Sequence, residues 1–342
     1  MNVVLCEYAG KREFTAGNKA RADAVEILKQ CGYKHIPLYR SKACKPFILL
    51  QMIMGCFRTF FFAGHNDTVF IQYPYYPAIV NKVLISILNF GKKIKKYKMC
   101  MLIHDIVGLR AEGDVEKNIE PETQLFENID KVICHNNSMQ KILKNSGRKK
   151  DYTVLGPFDY LYNKNNIQTN FQTKPSIIIA GNLSREKCGY IYKLGKITQC
   201  NFNLYGINYD GPSDSHIHYN GSFSPEELIE HLDGNYGLVW DGDSIDTCDG
   251  VFGRYLRYNN PHKFSLYIAA GIPLIVWGES ALASYVEEKG IGISINSLCD
   301  LNDIIPLINE TEYKKMVDNI LRIREQLIKG ENLKQAIQGE LV

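Results

Sequence analysis

Trp240-Asp-Gly-Asp-Ser-Ile-Asp-Thr-Cys-Asp-Gly-Val-Phe-Gly-Arg-Tyr-Leu-Arg-Tyr-Asn-Asn-Pro-His-Lys263, continued by Phe264-Ser-Leu-Tyr-Ile-Ala-Ala-Gly-Ile-Pro-Leu-Ile-Val276, is the stretch that decides how this chain is read. It leaves a buried-strand pattern at Gly237-Leu-Val-Trp240 and returns through a helix pattern to a second apolar run, Pro273-Leu-Ile-Val-Trp277. The segment between carries the carboxylates of Asp241, Asp243, Asp246 and Asp249. It is too polar for a core and too rich in glycine for a helix. A loop at the carboxyl edge of a parallel sheet is therefore expected, and that edge is where open α/β sheets bind ligands.

Outward from this stretch the same alternation repeats. Short apolar runs at 176–180, 201–205 and 217–219 read as strands, and helix patterns follow at 225–232, 263–270, 280–289 and 312–328. The first half has its own set, with strands at 3–6, 35–39, 67–73, 99–103, 131–135 and 152–155. Helices are expected there at 20–30, 78–90 and 138–145, with a strongly apolar one over 46–63 that reads as a buried or membrane-contacting helix. Two successive sets of alternating strands and helices predict two Rossmann-like, doubly wound domains facing across a cleft. The boundaries expected are 1–160 and 175–315, with 163–174 as a polar linker and 316–342 as a helical tail crossing back to the first domain.

At 342 residues, 45% hydrophobic and 23% charged, the chain has the size of two domains and the composition of an ordinary globular protein. Ten cysteines without a Cys-x-x-Cys pair argue against a disulfide framework or a zinc site and for a reducing cytosol. No leader peptide or transmembrane segment is expected. The net charge of +3 is unevenly divided: residues 1–156 carry 24 Lys/Arg against 14 Asp/Glu, and the rest 16 against 23. The basic half suits an anionic partner such as a phospholipid surface. Lys92-Lys-Ile-Lys-Lys-Tyr-Lys98 fits either that surface or a solvated turn, and no nucleic-acid motif accompanies it.

The Gly-x-Gly-x-x-Gly fingerprint is missing from both strand-loop-helix starts, and no Walker lysine motif exists, which sets aside nicotinamide and phosphate-loop chemistry. What remains is a cleft enzyme gripping a diphosphate with cations and helix amino ends. Lys263 follows Pro261 at a helix start, so its ammonium and the first backbone amides could meet one phosphate. Arg185 could complete the grip with a bidentate contact. Asp241 and Asp243 invite a metal reading, but acceptance of sugar hydroxyls, or holding Arg254 and Arg257, fits better beside so much positive charge. For a transferase, the acceptor hydroxyl needs a base; Asp105 is the first candidate and His104 the second, while Asp105 as a simple cap is the competing structural role.

Several pieces resemble the two-domain bacterial glycosyltransferases of GT-B fold that include the O-antigen β-1,6-galactofuranosyltransferases and, more distantly, the streptococcal adhesin glucosyltransferases. They are Ala16-Gly-x-Lys-Ala-Arg, Ile103-His-Asp-Ile-x-x-Leu-Arg110, Ala180-Gly-Asn-Leu-Ser-Arg-x-Lys-Cys188, Leu204-Tyr-Gly-x-Asn-Tyr209, Gly237-Leu-Val-Trp-Asp-Gly-Asp-Ser244 and Asn259-Asn-Pro-His-Lys-x-Ser-Leu-Tyr267. The resemblance implies a UDP-sugar donor with Arg185 and Lys263 on the diphosphate and Tyr205 near the uracil. It extends the donor set to Gly181, Asn182, Ser184, Asp241, Asp243 and Asn260, with Thr15 and Gly17 closing from the first domain. Many retaining members carry a glutamate where Leu266 stands, so its absence speaks against retention.

The reading is a glycosyltransferase moving galactofuranose from UDP-galactofuranose to a saccharide acceptor, lipid-linked, with inversion, no cofactor and no metal. It would sit in the cytoplasm at the inner membrane face, alone or as a homo-oligomer. A UDP-glucose-type hexopyranosyltransferase is the nearest alternative, followed by a UDP-sugar epimerase and a non-catalytic UDP-sugar-binding protein.

Overall fold

The computed structural model describes residues 1–8, 16–39, 45–147, 152–164, 167, 170–213 and 215–339. They form two compact units. The first takes in Ala20–Gly156 with the start of the chain and the segment from Asn332 on; the second is Pro157–Glu331 with the short Phe14–Lys19 piece.

The first unit holds strands β1 (Val3–Tyr8), β2 (Lys34–Tyr39), β3 (Thr68–Tyr73), β4 (Lys98–Ile103), β5 (Lys131–Cys134) and β6 (Tyr152–Val154). They pair in parallel in the order β2-β1-β3-β4-β5-β6. Between successive strands run helices α1 (Ala16–Gln30), α2 (Lys45–Phe62), α3 (Ile79–Lys95), α4 (Val115–Phe126) and α5 (Asn137–Asn145). Parallel strands need such crossovers, and because helices then cover both faces, the strands read as unbroken apolar runs rather than alternating ones.

The second unit repeats this with β7 (Ser176–Asn182), β8 (Asn201–Ile207), β9 (Ile217–Tyr219), β10 (Tyr236–Val239), β11 (Leu274–Trp277) and β12 (Gly292–Ile295). The order β12-β11-β10-β7-β8-β9, again parallel, is doubly wound, and the direction of winding reverses between β7 and β10. Its helices are α6 (Arg185–Cys188), α7 (Pro225–His231), α8 (Gly250–Tyr255), α9 (His262–Ala270), α10 (Ala283–Lys289), α11 (Leu301–Ile304) and α12 (Glu310–Leu327), and α13 (Glu331–Gln338) ends the described chain. Two Rossmann-like α/β domains are thus what the apolar runs encode.

Three expectations are corrected. The boundary falls at 156/157, so the described residues of the segment 163–174 belong to the second unit and do not link the two. The reason lies just ahead of it: Phe158 and Tyr160 are buried, and the Tyr160 hydroxyl donates to the Pro225 carbonyl at 2.6 Å. The tail divides later than expected. α12 stays in the second unit, where buried Arg324 donates to Ala269 O at 2.7 Å and Lys164 O at 2.9 Å, and only the chain from Asn332 on joins the first. The glycine-bearing loop after β10 contains the short helix α8, in which Gly253 approaches Cys248 and Asp241 so closely that a Cβ would fall 2.5 Å from backbone. The apolar helix expected over 46–63 forms as α2, buried along one row, Met52, Gly55, Cys56 and Thr59, while Phe47, Leu50, Met54, Phe57 and Phe61 are exposed.

One contact sets the geometry at the winding reversal. The ladder between β10 and β7 stops at Gly237 and Ile178, although β7 runs on to Asn182. There the phenol of Tyr267, on α9, takes the place of the missing strand: Ala180 N–H donates to its oxygen at 3.0 Å, and its hydroxyl donates to Ile178 O at 3.2 Å. The ring lies over Gly237, where a Cβ would sit 2.2 Å from it. Gly237→Ala should therefore cost about 1–3 kcal/mol of stability through overpacking, seen as a lowered Tm in thermal denaturation. An unchanged Tm would show that the ring can move aside.

Candidate functional site

At the carboxyl ends of β7 and β8 the second unit opens a cavity of about 290 Å³. Ala180, Gly181 and Asn182 end β7 there, and Tyr205, Gly206 and Ile207 end β8. The two strand ends meet closely: Gly206 has φ +152°, and a Cβ on it would fall 1.8 Å from Gly181 O. Phe223, Pro225 and Leu228 at the start of α7, with Leu266 and Tyr160, make an apolar wall. Pro261, His262 and Lys263, the first turn of α9, make the polar one, joined by Lys187.

Helix α9 presents its amino end because Pro261 breaks the chain before it and Gly271, left-handed at φ +74°, closes it. The first backbone N–H groups of such a helix have no partner within it and carry partial positive charge. Lys187 is half-buried and pairs with no carboxylate among the described residues. An apolar slot beside a helix amino end and a lysine is chemically suited to a flat, uncharged ring carrying an anionic group.

Lys263 is more deeply committed than its sequence context indicated. Its Nζ donates to Asp241 Oδ1 at 2.8 Å and to Trp240 O at 2.9 Å, and both side chains of the pair are 10% exposed or less. Burial works against the charge, but the Asp241 carboxylate outweighs it and holds Lys263 above the ordinary lysine range. The ammonium keeps one further N–H for a ligand at the pocket wall. Asp241 thus holds Lys263, not Arg254 or Arg257; Arg257 pairs with Glu279 at 2.5 Å and stacks over Trp277.

The other carboxylates of the stretch shape the loop itself. Asp249 Oδ1 accepts from the backbone N–H of Asp243 at 2.6 Å and of Ser244 at 3.2 Å, and exposed Asp243 pairs with Lys193 at 2.6 Å. Trp240 is fully buried, its indole N–H donating to Ser244 O at 3.0 Å. The Trp240–Asp249 segment therefore does not line the pocket.

Of the expected donor set, the structure brings Gly181, Asn182, Tyr205 and Lys263 to the cavity. Asn182 Oδ1 accepts from Ser184 N–H at 3.2 Å, and Ser184, at the start of α6, is not part of the lining. Asn260 is buried immediately before Pro261. Arg185 is not part of the lining: it is 61% exposed, pairs with Asp210 at 3.2 Å and stacks on Tyr192 at 3.8 Å. Lys187, two residues on, takes the pocket side instead; the motif pieces contain it and His262 without assigning them a role, and Phe223 and Leu228 lie outside those pieces. Gly17 lies in α1, and Thr15 falls outside the described residues.

In the first unit, the loop after β4 carries His104 and Asp105. Asp105 pairs with Arg110 of the same loop, and His104 Nε2 lies 2.8 Å from Gln72 Oε1. Glu122 of α4, which sequence reading missed with its helix, pins this loop by accepting from Gly108 N–H at 2.7 Å and from the Tyr73 hydroxyl at 2.7 Å. Behind it, His135 is buried, with Nε2 3.0 Å from Ile103 O.

With this geometry in place, the comparisons are specific. Residues 2–157 match the N-terminal domain, and residues 177–339 the C-terminal domain, of the glucosyltransferase 3-like family. The beta-1,6-galactofuranosyltransferase WbbI of Escherichia coli (strain K12) is 32% identical over 94% of this chain and 93% of its own. The chain belongs to the glucosyltransferase 3-like family. Glucosyltransferase 3 of Streptococcus gordonii is 24% identical over 91% of this chain and 90% of its own, and that of Streptococcus parasanguinis 26% over 78% and 76%. The protein is a glycosyltransferase, as the motif resemblance implied.

Two measurements follow from the site. Lys263→Ala leaves the Asp241 carboxylate buried without its partner, so it should lose about 3–5 kcal/mol of stability as well as weaken ligand binding; a Tm equal to wild type would show that the pair relaxes into solvent. Low pH should also destabilise the protein. Burial pushes His262 down to about 3 and His135 down to about 4, so both stay neutral in the fold while the unfolded chain takes up protons below about pH 6.5. Stability should then fall as pH drops from about 6.5 toward 4, by up to about 1.4 kcal/mol per pH unit and group. A Tm constant from pH 7.5 to about 5 would contradict this.

Proposed function

We propose that this glycosyltransferase moves galactofuranose from UDP-galactofuranose to a saccharide acceptor that is lipid-linked, with inversion and without an obligatory metal. The observation that carries the donor reading is the cavity at the winding reversal of the second unit, where an apolar slot adjoins the amino end of α9 and Lys187. Its volume and walls suit a nucleoside diphosphate: the base lies against Tyr205, Phe223 and Leu228, and the diphosphate meets the first turn of α9, Lys187 and the remaining N–H of Lys263. Full-length similarity at 32% to a relative named beta-1,6-galactofuranosyltransferase supports galactofuranose over glucose, and relatives named glucosyltransferase 3, at 24% and 26%, support the alternative less.

In this reaction the acceptor oxygen bonds to the anomeric carbon as the bond from that carbon to the β-phosphate oxygen breaks. UDP leaves with the electron pair, and the acceptor proton passes to Asp105 as general base. Charge developing on the departing diphosphate is met by the helix end and the lysines, which are already in place before reaction. The carboxylates that suggested a metal are each engaged with a lysine, Asp241 with Lys263 and Asp243 with Lys193.

A panel of UDP-galactofuranose, UDP-galactose and UDP-glucose, each with a defined glucosyl acceptor and excess EDTA, tests the proposal. Transfer only from the furanose donor, with inverted anomeric configuration, is the expected result, and Asp105→Asn should lower kcat by about 10²–10⁴ with donor binding kept. Transfer from UDP-glucose alone moves the assignment to the hexopyranosyl reaction. An epimerised donor without acceptor overturns the transferase reading of this pocket, and activity abolished by EDTA overturns metal independence.

A further inference from the structure

The first unit carries a second surface that the pocket does not use. On α2 the exposed Phe47, Leu50, Met54, Phe57 and Phe61 fall three and four residues apart and so share one helix face. Phe61 is 85% exposed. On α3, Ile79, Phe90 and Ile94 are also exposed. The two helices touch where Gly91 meets Phe60, whose ring lies 2.1 Å from where a Cβ would stand. The turn bearing Phe57 and Phe61 therefore adjoins the turn bearing Phe90 and Ile94, and the apolar side chains form a joint patch, larger than scattered surface hydrophobes require.

Its surroundings are cationic. Arg58, Lys82, Lys93, Lys95, Lys96 and Lys98 are exposed on or beside the two helices. Between residues 45 and 104 the sequence holds one acidic residue, Asp67, and its carboxylate is taken by the N-terminal ammonium at 2.5 Å. No helix among the described residues is long and apolar enough to cross a membrane. A face of aromatic and aliphatic side chains set among exposed lysines has the chemistry of a helix lying in a lipid interface. A second copy of the chain is a poorer occupant, because a two-fold contact would bring lysine against lysine.

We propose that the α2–α3 face docks on an anionic phospholipid bilayer, the apolar row entering the headgroup–acyl boundary and the lysines meeting lipid phosphates. This stands on the face itself and does not depend on which sugar is transferred. Co-sedimentation of the full chain with phosphatidylcholine vesicles, with and without phosphatidylglycerol, tests it. Binding to the anionic vesicles should exceed binding to the neutral ones, weaken as salt is raised, and fall about tenfold in Phe61→Ser. Lys93→Glu, a second exposed change, should weaken binding several-fold, with both variants keeping the wild-type Tm and the rate toward a water-soluble acceptor. Absence of vesicle binding, equal binding to both vesicle types, or binding indifferent to both substitutions overturns the proposal. So does a dimer, seen by sedimentation, that Phe61→Ser dissociates.

Discussion

The binding end of the second unit depends on a tyrosine standing where a strand should be. Once β10 parts from β7 after Gly237, Ala180 N–H would be a buried donor without a ladder partner, and such a group costs about 1–3 kcal/mol. The Tyr267 hydroxyl supplies both halves of the missing pair, accepting from Ala180 and donating to Ile178. Glycine at 237 is what lets the ring pass. The parted strands and the helix that bridges them are then one construction, and α9 cannot shift without breaking hydrogen bonds at the end of β7.

Lys263 lies four residues before Tyr267, on the same face of the helix. Tyr267 ties α9 to β7 while Lys263 ties it to the end of β10 through Trp240 O and Asp241. These two attachments fix the direction of the helix amino end, which faces the cavity through Pro261, His262 and Lys263. A buried pair with no net charge costs desolvation and adds little stability over an apolar substitute. Its value here is positional. Because Asp241 neutralises Lys263, the positive character of this wall rests chiefly on the α9 dipole and on Lys187.

The strands were legible because both faces of a parallel sheet are buried, so Ile177-Ile-Ile179 or Leu274-Ile-Val276 needs no alternation to be recognised. β12, Gly292-Ile-Ser-Ile295, is hard to read from sequence because it is short and only partly buried. α4 hid behind Pro121 within its own length. The stretch after Trp240 reads as a long polar loop, but the use of its carboxylates is not readable. Sequence shows that Asp241 and Asp249 are acidic; it does not show that one meets a lysine 22 positions away and the other the backbone of its own turn. Arg185 and Lys187 illustrate the same limit. Two cations two residues apart point to different sides of one helical turn, and only the packing of α6 decides which faces the pocket.

The loop that bears Asp105 is held in a way that bears on its chemistry. Glu122 accepts from Gly108, Val107 and the Tyr73 hydroxyl, and its burial raises its pKa above the ordinary carboxyl range, so this carboxyl spends its hydrogen-bonding capacity on structure. Asp105, in contrast, is oriented by the guanidinium of Arg110. Of the two carboxylates around this loop, Glu122 is therefore the scaffold, and Asp105 is the one that the loop's own Arg110 orients.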